Sequence, residues 1–161
     1  TAIGQGFTLV TPLQLANAPA NLATPTLSIK PHLILNIDGI KQDQEKDEWG
    51  KQSYKDEDLK WVKEGMINVT KKGGTAAFLG KKSNYQMASK TGTAQLFGLK
   101  KDEEYNEDIL PDSLKDHALF ITYAPAINPK IVIAVIVENG GHGGSVAGPI
   151  AKEILDAYLE K

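Results

Sequence analysis

The stretch Ser89-Lys90-Thr91-Gly92-Thr93-Ala94-Gln95, set inside a longer segment from Tyr85 to Phe97, decides how this chain is read. The segment carries the character of a long strand. Successive side chains on a strand point to opposite faces, which puts Thr91 and Thr93 on one side and Lys90, Gly92 and Ala94 on the other. Two neighbouring hydroxyls beside a lysine make an edge suited to a carboxylate, and charge-assisted hydrogen bonds of this kind contribute about 1.5–3 kcal/mol each. Gly92 leaves room for a ligand backbone to approach. The Thr93 amide is a candidate donor to a developing oxyanion. Taken alone, the same residues also read as plain β-propensity with an edge lysine that discourages aggregation.

On either side of this stretch the pattern predicts an α+β fold, an antiparallel sheet flanked by helices. Two further strands follow, Ala118 to Tyr123 and Lys130 to Glu138, with the turn between them written by Ala124-Pro125 and Asn128-Pro129. Three strands joined without helices pair antiparallel. Ile131 to Val137 is apolar on both faces, so helices are expected on both sides and a strand on each edge. Only Leu27 to Ile37, an extended run that turns at Asp38-Gly39, offers itself as a second neighbour. One side of Ile131 to Val137 is therefore expected to be left uncovered by this chain.

Upstream, Thr11 before Pro12 has the form of an N-cap with proline at the first helical position, and Pro19 is expected to kink or end that helix. Residues 3–7 are punctuated by glycine. Residues 41–58 hold four lysines and seven acids, the composition of a charged surface loop. From about Lys55, Leu59, Val62, Met66 and Ile67 recur at helical spacing, with Asp56, Glu57 and Asp58 at the positive end of the dipole and Lys71 and Lys72 at the negative end. Gly73-Gly74 is expected to terminate this helix. Lys100 to Lys115 reads as an acidic connection. The chain closes with a turn, Gly140 to Gly144, and a helix capped by Ser145 whose apolar face is Ile150, Ile154, Leu155, Tyr158 and Leu159.

The composition excludes several functions. At 161 residues and 41% hydrophobic content the chain has enough material for one domain core. A net charge of −2 with no arginine argues against nucleic-acid binding. With no cysteine there is neither disulfide nor thiolate chemistry, and the run Ile131 to Val137 is far too short to cross a bilayer. His32, His117 and His142 lack the spacing of a metal site, and no cofactor motif is present: Gly140-Gly141-His142-Gly143-Gly144 has no lysine or dinucleotide spacing after it, so it reads as a turn lining a groove at most. The cluster Asp102-Glu103-Glu104 reads as solvated surface, and Trp49, Trp61 and Tyr54 as local packing, with a sugar platform as the alternative.

Four segments, IGQGFTLVTPLQLA at 3–16, SKTGTAQLFGLK at 89–100, DHALFITYAP at 116–125 and VIVENGGHGG at 135–144, together resemble the C-terminal part of the transpeptidase domain of the penicillin-binding protein 2 family. These are class B peptidoglycan D,D-transpeptidases. The resemblance runs in order over nearly the whole chain and is weakest at residues 41–58. It implies that Lys90 organises charge, that Thr91 and Thr93 bind the terminal carboxylate of a D-Ala-D-Ala stem peptide or a β-lactam beside Gly92, and that the Thr93 amide completes an oxyanion hole. It also implies a periplasmic enzyme tethered to the inner membrane by a segment absent here, working with elongation-complex proteins.

The family's nucleophile motif, a serine with lysine three residues on, is absent: none of Ser28, Ser53, Ser83, Ser89, Ser113 and Ser145 has it, and none has Asn two places on. Residues 1–161 are accordingly expected to be a partial transpeptidase domain, inactive by itself. A β-lactam sensor, a serine β-lactamase or a non-catalytic interaction module remain the alternatives.

Overall fold

Thr11 opens the first helix as its sequence predicts. The computed structural model describes residues 8–25, 30–42, 54–81, 83–96 and 111–160. Helix α1 is Pro12–Ala23, and a capping box joins Thr11 Oγ1, which accepts from the Gln14 amide at 3.2 Å, to Gln14 Oε1, which accepts from the Thr11 amide at 2.8 Å. Of the two outcomes expected at Pro19, a kink or an end, the helix does not end there: α1 continues through it to Ala23. A proline removes one backbone bond, yet Pro19 is fully buried and α1 packs along the sheet, so tertiary burial outweighs the local cost.

Of the extended run expected from Leu27 to Ile37, residues 27–29 lie outside the described residues, and among the described ones only Asn36–Ile37 forms a strand, β1, which pairs with β2, Ile40–Lys41. Asp38 and Gly39 turn the chain with φ of 51° and 80°, the positive pair that a two-residue hairpin needs. This hairpin closes on itself and does not join the main sheet. Its Ile37 and Ile40, with Leu33 and Leu35, stay exposed.

Helix α2, Asp56–Asn68, starts on the three acids. It ends before the expected Gly73-Gly74 stop, so Lys71 and Lys72 lie beyond its last turn. The chain leaves the helix at Val69, where the Thr70 hydroxyl donates to the Ile67 and Met87 carbonyls at 3.3 and 3.4 Å. The α2 residues Leu59 and Met66 are buried, whereas Trp61 and Tyr54 are exposed. A short helix α3, Ala77–Gly80, follows. Of the charged loop read at 41–58, residue 41 belongs to β2 and residues 56–58 to α2; residues 43–53, like the segments 3–7 and 97–110, lie outside the described residues.

The main sheet has the order β3-β4-β5, with β3 at Ala88–Ala94, β4 at His117–Ala124 and β5 at Ile131–Val137. Both pairings are antiparallel. The strand expected from Tyr85 to Phe97 is therefore shorter: Tyr85 to Met87 approach it outside the ladder, and Gln95 and Leu96 leave it. Among the described residues β5 pairs with β4 alone.

Helix α4, Ala147–Leu159, covers one face of the sheet, where Ala147, Ala151 and Leu155 meet Phe120, Ala118 and Ile133. Helices α1 and α2 cover the other, where Ala23 and Met66 meet Tyr123 and Ala88. The apolar face expected on α4 holds at Leu155, which is fully buried, and at Leu159, which packs against the core, but not at its other three residues. Ile150, Ile154 and Tyr158 are 42–52% exposed, and the buried side is Ala147, Gly148, Ala151, Lys152 and Leu155. Small residues let the helix backbone lie close to its neighbours: a Cβ on Gly148 would come within 2.8 Å of Leu79 Cδ1 on α3 and 3.4 Å of the Phe120 ring on the sheet.

Lys152 can be buried because it is paired. Its Nζ donates to both Asp156 carboxylate oxygens at 2.5 and 2.6 Å and lies 5.3 Å from the centre of the Tyr85 ring, while the Tyr85 hydroxyl donates to Asp156 Oδ1 at 2.6 Å. Burial opposes ionisation of Asp156, but the hydrogen bonds from Lys152 and Tyr85 and the Lys152 charge outweigh it and hold its pKa below the usual carboxylate range. Burial, together with the adjoining Asp156 carboxylate, pushes the Tyr85 phenol well above its ordinary value. A depressed acid contributes stability that is present above its unfolded pKa of about 4 and lost as pH falls through the folded value. A raised phenol contributes stability that is present below about pH 10 and lost above it. Urea titrations should therefore show stability falling below pH 4 and above pH 10, with both losses reduced in Tyr85→Phe and the acid loss reduced in Asp156→Asn.

Candidate functional site

The register places the strand residues as their alternation predicts. Thr91 pairs with Phe120 and Thr93 with Ala118, on the α4 face, whereas Lys90, Gly92 and Ala94 pair with Ile121, Leu119 and His117 on the other. Ser89 shares the threonine face, buried, with its hydroxyl 2.9 Å from that of Thr122. Towards Thr91 and Thr93 the strand becomes half-exposed, and Lys90 is exposed.

Backbone direction on β3 follows from its anchors. Gln86 O accepts from Ala126 N at 2.7 Å on the β4 side, and Met87 O accepts from Thr70 on the opposite side. Strand alternation then turns the amides of Thr91 and Thr93 away from β4, towards the outer edge of the sheet. The Lys90 ammonium donates to the Thr91 carbonyl at 2.6 Å. It thus reaches the strand edge and does not lie among the hydroxyls.

Two further segments meet the threonine face. The turn after α2 brings the Thr75 hydroxyl to 3.4 Å from that of Thr91. Backbone bonds from Ala76 N to Val69 O, 2.9 Å, and from Gly74 N to Lys71 O, 2.8 Å, hold this turn in shape. The glycine-rich loop after β5 lies directly on the sheet: Gly143 is buried, and a Cβ there would run into the Leu119 and Gly92 carbonyl oxygens. Leu119 and Gly92 send their side chains, or none, to the far face, so bare backbone receives the loop. Gly144 sits against both threonines, since a Cβ on it would lie 3.1 Å from Thr75 O and 3.3 Å from Thr91 Cγ2.

The expected turn at Gly140 to Gly144 is present, but Ser145 is not the helix cap. Val146 occupies that place without a side-chain bond, and the Ser145 hydroxyl donates to His142 O at 3.3 Å. The loop is held by backbone bonds instead, Gly141 N to Asp116 O at 2.8 Å and Gly148 N to Gly143 O at 2.9 Å. Asn139, at φ 56°, clasps its start by donating to the Ser113 and Lys115 carbonyls, both at 3.0 Å. Thr75 was not marked by any motif, because it lies 16 residues before Thr91 in a turn read only as a helix stop. The site is thus a strand edge with two threonine hydroxyls, outward amides and a lysine, floored by glycine backbone.

Comparison with known proteins agrees with this architecture. The family of the penicillin binding protein transpeptidase domain matches residues 1–156. The chain is 40% identical, over 166 residues, to the peptidoglycan D,D-transpeptidase MrdA of Haemophilus influenzae, covering 99% of this chain and 25% of that protein. Among solved structures it is similar to PBP2 of Pseudomonas aeruginosa in complex with WCK 5153, at 38% identity and a TM-score of 0.79, over 99% of this chain and 32% of that one. It is also similar to PBP2 of Helicobacter pylori in complex with MreC, at 30% identity and a TM-score of 0.68, over 99% of this chain and 27% of that one. The chain spans about a quarter of the length of the curated relative named here. On the strength of the match over residues 1–156, the chain belongs to the transpeptidase domain family of the penicillin-binding proteins, among its PBP2 members.

Proposed function

We propose that β3 is the carboxylate-binding wall of a peptidoglycan D,D-transpeptidase site, and that a serine from outside these 161 residues supplies the nucleophile. The observation that carries this reading is the shared face of Thr91 and Thr93 with their amides turned to the outer edge of the sheet. In the reaction, the serine oxygen attacks the carbonyl of the penultimate D-Ala, the amide bond to the terminal D-Ala breaks, and that residue leaves with a proton on its nitrogen. An amine of a second stem peptide then attacks the ester, forming the cross-link and returning the serine.

Within this scheme Thr91 and Thr93 donate to the terminal carboxylate, Lys90 supplies positive charge near it, and the Thr93 amide donates to the oxyanion. A β-lactam presents a comparable carboxylate and carbonyl and occupies the same wall. PBP2 of Helicobacter pylori, solved in complex with MreC, supports a protein partner, which we read as part of the elongation machinery, and the family reading implies the periplasmic side of the inner membrane. Among the described residues no helix is long and apolar enough to cross a membrane.

The test is acylation by a fluorescent penicillin in the protein that carries both the serine and these residues. Lys90→Ala should slow acylation about tenfold or more, the equivalent of one charge-assisted bond. Acylation at the parent rate would refute the assignment of Lys90, and labelling of residues 1–161 alone would refute the external nucleophile.

A further inference from the structure

We propose that Thr75 is a positioning residue for the hydroxyl of Thr91, fixing which way that hydroxyl's proton points. The inference rests on the reading of β3 as the carboxylate-binding strand. The two hydroxyl oxygens lie 3.4 Å apart, and either could donate. A threonine hydroxyl has one proton, so the direction of this bond decides what Thr91 offers a ligand. A bound carboxylate only accepts. It therefore selects the arrangement in which Thr75 donates to Thr91 and Thr91 donates to the ligand, and donation into the Thr91 oxygen polarises its own O–H and strengthens it as a donor.

The surroundings hold this pair in place. Thr91 is β-branched and has few χ1 rotamers. Its methyl carbon packs against Gly144, whose backbone also lies against the Thr75 carbonyl, so the methyl and the hydroxyl are held in distinct directions. Thr75 is itself carried on a turn pinned to β3 through Thr70 and Met87. Thr75 is exposed and Thr91 half-exposed, and the hollow beside Thr75, lined also by Lys71, Lys72 and Gly73, is open to solvent. Thr91 does not line that hollow; its own half-exposure is what leaves it open to a ligand.

Stopped-flow acylation by a fluorescent penicillin, in the protein carrying the serine, separates the initial dissociation constant from the acylation rate constant. Thr75→Val keeps the shape and removes the donor. It should raise the dissociation constant about fivefold and leave the rate constant within about twofold, in line with loss of one neutral hydrogen bond. Thr75→Ser should restore binding to within about twofold. In the double variant Thr75→Val with Thr91→Val, binding should be no weaker than in Thr91→Val alone, because Thr75 acts through Thr91.

Parent-like binding by Thr75→Val alongside impaired Thr91→Val would overturn the inference while leaving the role of β3 intact. Fully additive losses, or failure of serine to rescue, would overturn it as well. Parent-like binding by Thr91→Val would instead remove the carboxylate-strand reading, and this inference with it.

Discussion

Replacing Thr93 by proline, in the protein that carries the serine, should lower acylation by about a hundredfold to a thousandfold, the usual effect of losing one oxyanion-hole donor, the role proposed for its amide. The substitution is informative because of where the amide points. Alternation along β3 turns the Thr93 N–H away from β4, so proline there removes no bond of the β3–β4 ladder. Proline is tolerated on an outer strand for this reason. Thr93→Val is the companion: it keeps the amide, loses the hydroxyl, and should act mainly on binding of the carboxylate, by about tenfold. If proline and valine weaken the enzyme equally, the amide has no part in the chemistry. If proline also unfolds the sheet, the N–H belongs to the ladder and the assigned alternation is wrong.

Gly143→Ala should destabilise the protein by about 3 kcal/mol, at the upper end of what overpacking costs. Most such additions are relieved by rotating a neighbouring side chain. Here the obstacles are the Leu119 and Gly92 carbonyl oxygens, which belong to the paired backbone of β4 and β3. Either the loop lifts from the sheet or the ladder bends. A lifted loop also carries Gly144 away from Thr75 and Thr91, so acylation should fall together with stability. The urea midpoint should drop with an unchanged slope, since the surface exposed on unfolding is nearly the same. Alanine at Gly65, where a Cβ meets nothing within 4 Å, serves as the control and should be neutral or slightly stabilising. A Gly143→Ala protein with parent stability would show that the loop does not rest on the strands.

The strand assignments were legible because their signals are local. Ile131 to Val137 and the stretch around Phe120 have strand composition, and the turn between them is written in proline and asparagine. The faces of Thr91, Thr93 and Lys90 follow from a period of two, which any strand obeys. The ends of elements were less legible. Pro19 reads as a kink or a stop, and the packing of α1 along the sheet carries the helix past it. On α4, Leu155 and Leu159 marked the right side but Ile150, Ile154 and Tyr158 did not, because close approach to a sheet favours Ala147, Ala151 and Gly148 over larger side chains. Hydrophobicity alone does not register that preference.

The candidate site divides in the same way. Lys90, Thr91, Gly92 and Thr93 stand together in the text, and their chemistry is readable without coordinates. Thr75 and Gly143 are not. They come to this strand through the turn after α2 and the loop after β5, from positions 16 residues before Thr91 and beyond two intervening strands. Sequence by itself determined the three strands of the main sheet, their alternation and the residue types along the edge proposed to bind a carboxylate, since these depend on neighbours along the chain. Only tertiary structure decided what lies against that edge, because a contact between distant segments depends on how sheet, turn and helix pack, and no local pattern encodes it.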